Sequence, residues 1–161
     1  MGEVAARPRA GRVPAHVRAM VAVGWLLTLG GAGVVALRMP SLPDEVPLHY
    51  GATGTVDGWG DPAALWGLVA LWVVLQVMLT VLVRMPHVHN YPVTVTEENA
   101  PTLYRLSQEL LGVMTVAMGV VLLGMVPVGA DGAGTWWLIV LGALGALAAT
   151  IVGVARMLRV A

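Results

Sequence analysis

Few side chains in this sequence could do chemistry, and most of them lie in one stretch. Between Leu42 and Pro62 the chain reads LPDEVPLHYGATGTVDGWGDP, its densest run of polar, glycine and proline residues. Val46-Pro47-Leu48-His49-Tyr50 and Thr55-Val56-Asp57 can each form a short extended piece. Gly51-Ala52-Thr53-Gly54 has the composition of the turn between them, which predicts a small hairpin bringing His49 close to Asp57. A His–Asp pair can contribute to a metal site, switch with protonation, orient an imidazole toward a partner, or simply staple the loop. Two ligands are too few for a dedicated zinc site, so no metal is expected. The candidate contacts on this loop are Pro47, His49, Tyr50, Gly54, Asp57 and Trp59.

A second polar segment, His87 to Pro101, offers other candidates. In His87-Val88-His89 the imidazoles of an extended chain project to opposite sides, so the spacing suits two solvated interface residues better than a chelate. The following Asn90-Tyr91-Pro92 and Thr96-Glu97-x-Asn99 carry local structural signals. Thr94-x-x-Glu97 fits a capping box, and Asn99 can cap a helix that has Pro101 in its first turn. Arg105 and Glu109, four apart, can pair on one helix face. Gln76 lies amid an apolar run and needs a partner, with Thr28 or Thr115 at matching depth. The catalytic signatures of serine hydrolases, zinc proteases, phosphate loops and dinucleotide folds are absent. No enzyme activity and no cofactor are expected.

The elements that position these residues are apolar. Of 161 residues 58% are hydrophobic and 11% charged, against about 25% charged in a soluble domain. A surface so poor in charge has to meet lipid. Net charge is zero and lysine is absent, which excludes a basic nucleic-acid footprint. Without cysteine there are no disulfides and no thiol chemistry.

Four apolar runs fall at about 19–37, 63–83, 104–128 and 136–155. Each is long enough, at about 1.5 Å per residue, to cross a hydrocarbon core about 30 Å thick. The fold expected is an all-α integral membrane protein, a four-transmembrane-helix bundle forming one membrane domain over 19–155. A basic, unstructured arm (1–18) precedes it, and a tail (156–161) follows. The first run exceeds a typical signal-peptide core and lacks a cleavage site, so it reads as a span. Asp61-Pro62 is a helix-start signal for the second.

Arginine counts orient the bundle. Arg7, Arg9, Arg12, Arg18, Arg84, Arg105, Arg156 and Arg159 fall on one side and Arg38 on the other. By the positive-inside rule both termini and the 84–103 linker are cytoplasmic, and the 38–62 loop faces outward with the Gly129–Thr135 turn. Trp59, Trp66, Trp136 and Trp137 then mark the outer boundary, Tyr91 and Tyr104 the inner. Small residues four apart (Gly142/Ala146, Gly145/Ala149, Ala149/Gly153, Thr115/Gly119, Ala32/Ala36) allow close helix approach. They serve either the bundle itself or a homo-oligomer seam.

The run Pro47-Leu48-His49-Tyr50 with Gly54-Thr55-Val56-Asp57-Gly58-Trp59-Gly60, between the first two spans, resembles the signature of the bacterial membrane family called domain of unknown function 1648. Asn90 to Ala100 is similar to a second stretch that many members carry before their third span. The resemblance covers roughly residues 40–104. It implies a multispanning protein of the bacterial plasma membrane. The same domain forms the N-terminal part of sporulation-delay-type immunity proteins, so the resemblance also suggests an immunity or sensor role toward an extracellular peptide or membrane partner. An accessory subunit of a transport or envelope complex is the alternative. Where members often carry a lysine after the aromatic–glycine, this chain has Asp61-Pro62.

Overall fold

The computed structural model describes residues 7–126 and 135–160. Four long helices, α1 (Ala15–Arg38), α2 (Ala64–Arg84), α3 (Ala100–Met125) and α4 (Trp136–Leu158), are joined by short elements. All four are long and apolar enough to cross a membrane, so the protein is a multi-pass helical membrane protein. The expected spans match to within four residues at every described end. The turn over 129–134 and the end of the third run at 127–128 lie outside the described residues.

α3 is the hub. It packs against α1, α2 and α4, and its buried positions include Gly112, Thr115, Ala117, Gly119 and Gly124. Small residues bring the helix backbones together where lipid supplies no hydrophobic drive. A Cβ on Gly119 would stand 2.6 Å from Leu27 Cβ, and one on Gly24 2.6 Å from the Thr115 carbonyl oxygen. Against α4, a Cβ on Gly142 would stand 2.6 Å from Val121 Cγ2 and 2.9 Å from the Ala117 carbonyl oxygen.

Of the small residues of α4, Gly142 is the one pressed into the bundle. Gly142 is buried, Ala146, Ala149 and Gly153 are half-buried, and Gly153 meets Leu110 at ordinary contact distance. Gly145 differs: nothing lies within 4 Å of where its Cβ would be.

Between α1 and α2 stands an antiparallel hairpin of β1 (Val46–Tyr50) and β2 (Val56–Gly60). The Gly51 N–H donates to the Thr55 carbonyl at 2.8 Å, and the Gly54 N–H to the Gly51 carbonyl at 2.9 Å. Gly54 has φ +81°, the left-handed conformation that suits glycine in such a turn. Burial alternates along β2, as the two-residue period requires, while β1 starts with two buried residues, Val46 and Pro47. Val46 is fully buried in a cluster with Val35, Leu65, Val69 and Val126. The hairpin thus lies on the ends of the helices and does not stand free.

At the opposite end the linker lies across the bundle. Tyr91, Val93 and Val95 pack against Leu103, Leu106 and Met157, while Pro92, Thr94 and Thr96 are exposed. The N-terminal arm, expected to be unstructured, is docked from Arg7 onward. The Arg7 guanidinium donates to the carbonyls of His87 (3.1 Å) and His89 (2.6 Å) and lies 5.9 Å above the Tyr91 ring. The Tyr104 hydroxyl donates to the Pro8 carbonyl at 3.0 Å. A planar guanidinium can stack and donate at once, which composition alone does not reveal.

Candidate functional site

The hairpin carries the candidate site, and strand alternation sorts its residues. His49, Asp57 and Trp59 are exposed and fall on the outward face. Leu48 and Tyr50 turn toward the helices and line a cleft of about 310 Å³ with Gly54, Met125, Trp136 and Ile139, which His49 also borders. Pro47 is buried opposite Trp59. The six candidate contacts thus divide into an outward triad and three residues that seat the hairpin.

Two glycines make this geometry possible. Gly58 faces His49 across the sheet, where a Cβ would meet His49 Cβ at 2.9 Å. Gly54 lies on the indole of Trp136, whose ring carbons would be 2.9–3.2 Å from a Cβ there. The hairpin tip is therefore stacked on the first residue of α4, a contact that no local sequence signal announces.

His49 Nδ1 lies 2.5 Å from Asp57 Oδ1. A carboxylate only accepts, so the Nδ1–H donates and Nε2 is left as the open edge of the ring. The expected proximity of the two residues is what the structure has, with the side chains 73% and 52% exposed. Exposed ion pairs add little stability; what this one fixes is the direction in which the imidazole points. The register slips on either side of His49, and such irregularities re-aim side chains.

Asp61 does start α2, through a tighter turn than expected. Its carboxylate accepts from the Ala63 N–H at 2.7 Å, and successive i to i+3 bonds from Ala64, Leu65 and Trp66 open the helix. This 3₁₀ entry shifts the regular helix to Ala64.

The linker motif is built differently from the expected box. Thr96 and Asn99 form the reciprocal pair instead of Thr94 and Glu97: the Thr96 N–H donates to Asn99 Oδ1 (2.8 Å) and the Asn99 N–H to Thr96 Oγ1 (3.2 Å). Asn99 also donates to the Thr94 carbonyl at 3.0 Å. Its amide can both accept and donate, so it ties the extended segment to the helix start. Exposed Glu97 and Glu98 sit in the turn before α3, where negative charge suits the helix dipole. Tyr91 donates to the Pro86 carbonyl (2.8 Å) and meets Ser107 Oγ at 2.9 Å. Burial, the largest cause, raises its pKa, with the Ser107 hydrogen bond opposing.

His89 is not the solvated residue expected of it. It is half-buried, with Nε2 3.0 Å from the Leu82 carbonyl oxygen. Burial pushes its pKa down, partly offset by that hydrogen bond, and the neighbouring His87 adds to the lowering. Asn90 and Pro92 are exposed on either side of Tyr91.

Two other expected partnerships are replaced. Glu109 pairs with His16 of α1 (3.3 Å) and Arg156 of α4 (3.2 Å) instead of Arg105. It faces the groove between those helices, and bridging them satisfies both oxygens. Gln76 is fully buried, yet neither amide atom bonds Thr28 or Thr115. Thr115 Oγ1 donates instead to the carbonyl of Gly112 in its own helix at 2.7 Å, the local competitor open to any helical threonine.

Fold and site together define a small multi-pass helical membrane protein with an exposed hairpin seated over one end of the bundle. Residues 26–73 match the family model described as Domain of unknown function (DUF1648). The match spans the second half of α1, the whole hairpin and the first half of α2. The similar stretch expected at Asn90 to Ala100 falls outside it. No curated protein and no solved structure matches the chain.

Proposed function

We propose that the outward face of the hairpin, with His49, Asp57 and Trp59, is a recognition surface for an extracellular peptide or an exposed part of a neighbouring membrane protein. On this reading the protein is of the immunity or sensor kind, sits in the bacterial plasma membrane, and keeps both termini cytoplasmic. The observation that carries it is the oriented His49–Asp57 pair, exposed beside a bare indole on a hairpin seated against the bundle. A rigid exposed aromatic next to a directed hydrogen-bonding edge is what a binding surface uses. The orientation rests on the eight arginines gathered at the far end.

A scaffolding role through the small-residue seam is disfavoured by the packing. Gly142 is already pressed against α3, Gly153 meets Leu110, and Gly145 alone of the three α4 glycines faces open space.

The test uses the absence of native cysteine. Ala52→Cys should react with a membrane-impermeant maleimide in intact cells. A photo-crosslinking amino acid at position 59 should give a discrete adduct that disappears in His49→Ala and Asp57→Ala at unchanged membrane levels. Labelling only after permeabilisation sinks the orientation. An adduct that survives both substitutions, or none at all, sinks the recognition surface.

A further inference from the structure

At the end of the bundle away from the hairpin, a cleft of about 410 Å³ opens between the docked arm and the start of α3. Arg9 and Arg12 line it from the arm and Arg105 from α3, while Pro8, Pro14, Ala100, Pro101 and Tyr104 contribute apolar wall. Both sides are held in place. The arm is clamped by the Arg7 and Tyr104 hydrogen bonds, and the Arg18 N–H to Pro14 carbonyl bond (3.1 Å) joins it to α1.

Three guanidinium groups on one cleft repel each other unless an anion lies between them. Among the described residues the ion-paired carboxylates are Asp57, which meets His49, and Glu109, which meets His16 and Arg156. Neither faces the cleft. Glu97 and Glu98 lie in the turn before α3 and do not line it. The positive end of the α3 dipole adds to the same field.

We infer that this cleft binds the phosphate of an anionic phospholipid headgroup, with Arg9, Arg12 and Arg105 as its contacts. Guanidinium is the side chain best matched to phosphate, which it can grip with two N–H groups. A lipid is the source favoured over free phosphate because the cleft lies at the helix ends, where headgroups sit, and its prolines, alanine and tyrosine ring suit the glycerol and first methylenes. Basic clefts between membrane helices are known headgroup sites in general.

The test is binding of short-chain phosphatidylglycerol, phosphatidylcholine of the same chain length, and inorganic phosphate to the purified full chain in neutral detergent, by calorimetry. Phosphatidylglycerol should saturate one site, with phosphatidylcholine and inorganic phosphate far weaker. Each arginine is worth about fivefold in affinity, so Arg9→Ala/Arg12→Ala/Arg105→Ala together should cost about a hundredfold. The matching triple lysine variant keeps the charge and should recover part of that loss. All three side chains are exposed, and an unchanged elution profile and tryptophan emission verify the fold. Phosphatidylglycerol binding that survives the triple alanine variant overturns the site. Inorganic phosphate binding as tightly as the lipid, or equal binding of both lipids, overturns the headgroup assignment.

Discussion

Two glycines of α4, three residues apart, should respond in opposite ways to the same added methyl group. At Gly142 the new carbon would stand 2.6 Å from Val121 Cγ2 and 2.9 Å from the Ala117 carbonyl oxygen, while at Gly145 it would meet nothing within 4 Å. One obstacle at Gly142 is backbone, so α4 has to move away from α3 along the seam. Overpacking of this kind costs about 1–3 kcal/mol. Replacing glycine by alanine inside a helix returns about 1 kcal/mol, and does so at both sites. The propensity gain therefore cancels in the comparison, leaving the packing cost alone. Gly142→Ala should come out about 1–3 kcal/mol less stable than Gly145→Ala, and Gly145→Ala slightly more stable than the parent. The six tryptophans give the signal for reversible unfolding by sodium dodecyl sulfate in mixed micelles. Equal stabilities for the two variants would refute the α3–α4 seam. A Gly145→Ala that destabilised the protein would show that this open face is covered by something else, such as a second copy of the chain.

Two further expectations come from the ends of the bundle. Gly54→Ala places a methyl group on a left-handed residue and against the Trp136 ring, at a conformational cost of about 1–2 kcal/mol before the clash; faster amide exchange over 46–60 and altered tryptophan emission should report a lifted hairpin, and parent-like exchange would contradict the stacking. His89 is neutral in its half-buried place, and its folded pKa lies below the ordinary value. The unfolded chain therefore takes up the proton first as pH falls, so stability is full above the ordinary histidine range and declines through it. Unfolding midpoints between about pH 7.5 and pH 5 should fall in the parent and flatten in His89→Gln, and identical slopes would show that His89 is not responsible.

What the sequence makes legible is what depends on neighbours along the chain. Run length sets where an apolar helix begins and ends, so the four helices fall where expected. The two short extended pieces and the glycine-rich turn between them belong to one contiguous stretch, and with them comes the meeting of His49 and Asp57. The arm, the Glu109 bridge and the Gly54–Trp136 stack depend on which helix stands beside which, and the spans themselves do not encode that order. Arg7 reaches His87 and His89 across 80 and 82 positions. Gln76 misled for a related reason. Depth in the membrane puts Thr28 and Thr115 at its level, and all three are fully buried, but the Thr115 hydroxyl bonds the Gly112 carbonyl of its own helix instead. One readable signal was present and missed: Tyr91, Val93 and Val95 recur every second residue between Pro92, Thr94 and Thr96, and the tyrosine and two valines pack on the ends of α3 and α4.

The stack of Gly54 on Trp136 fastens the hairpin to the start of the fourth helix. The last turn of that same helix holds Arg156, which is tied through Glu109 to His16 at the other end of the molecule. One unbroken helix therefore joins the tip of the hairpin to the ion triad at the far end of the bundle.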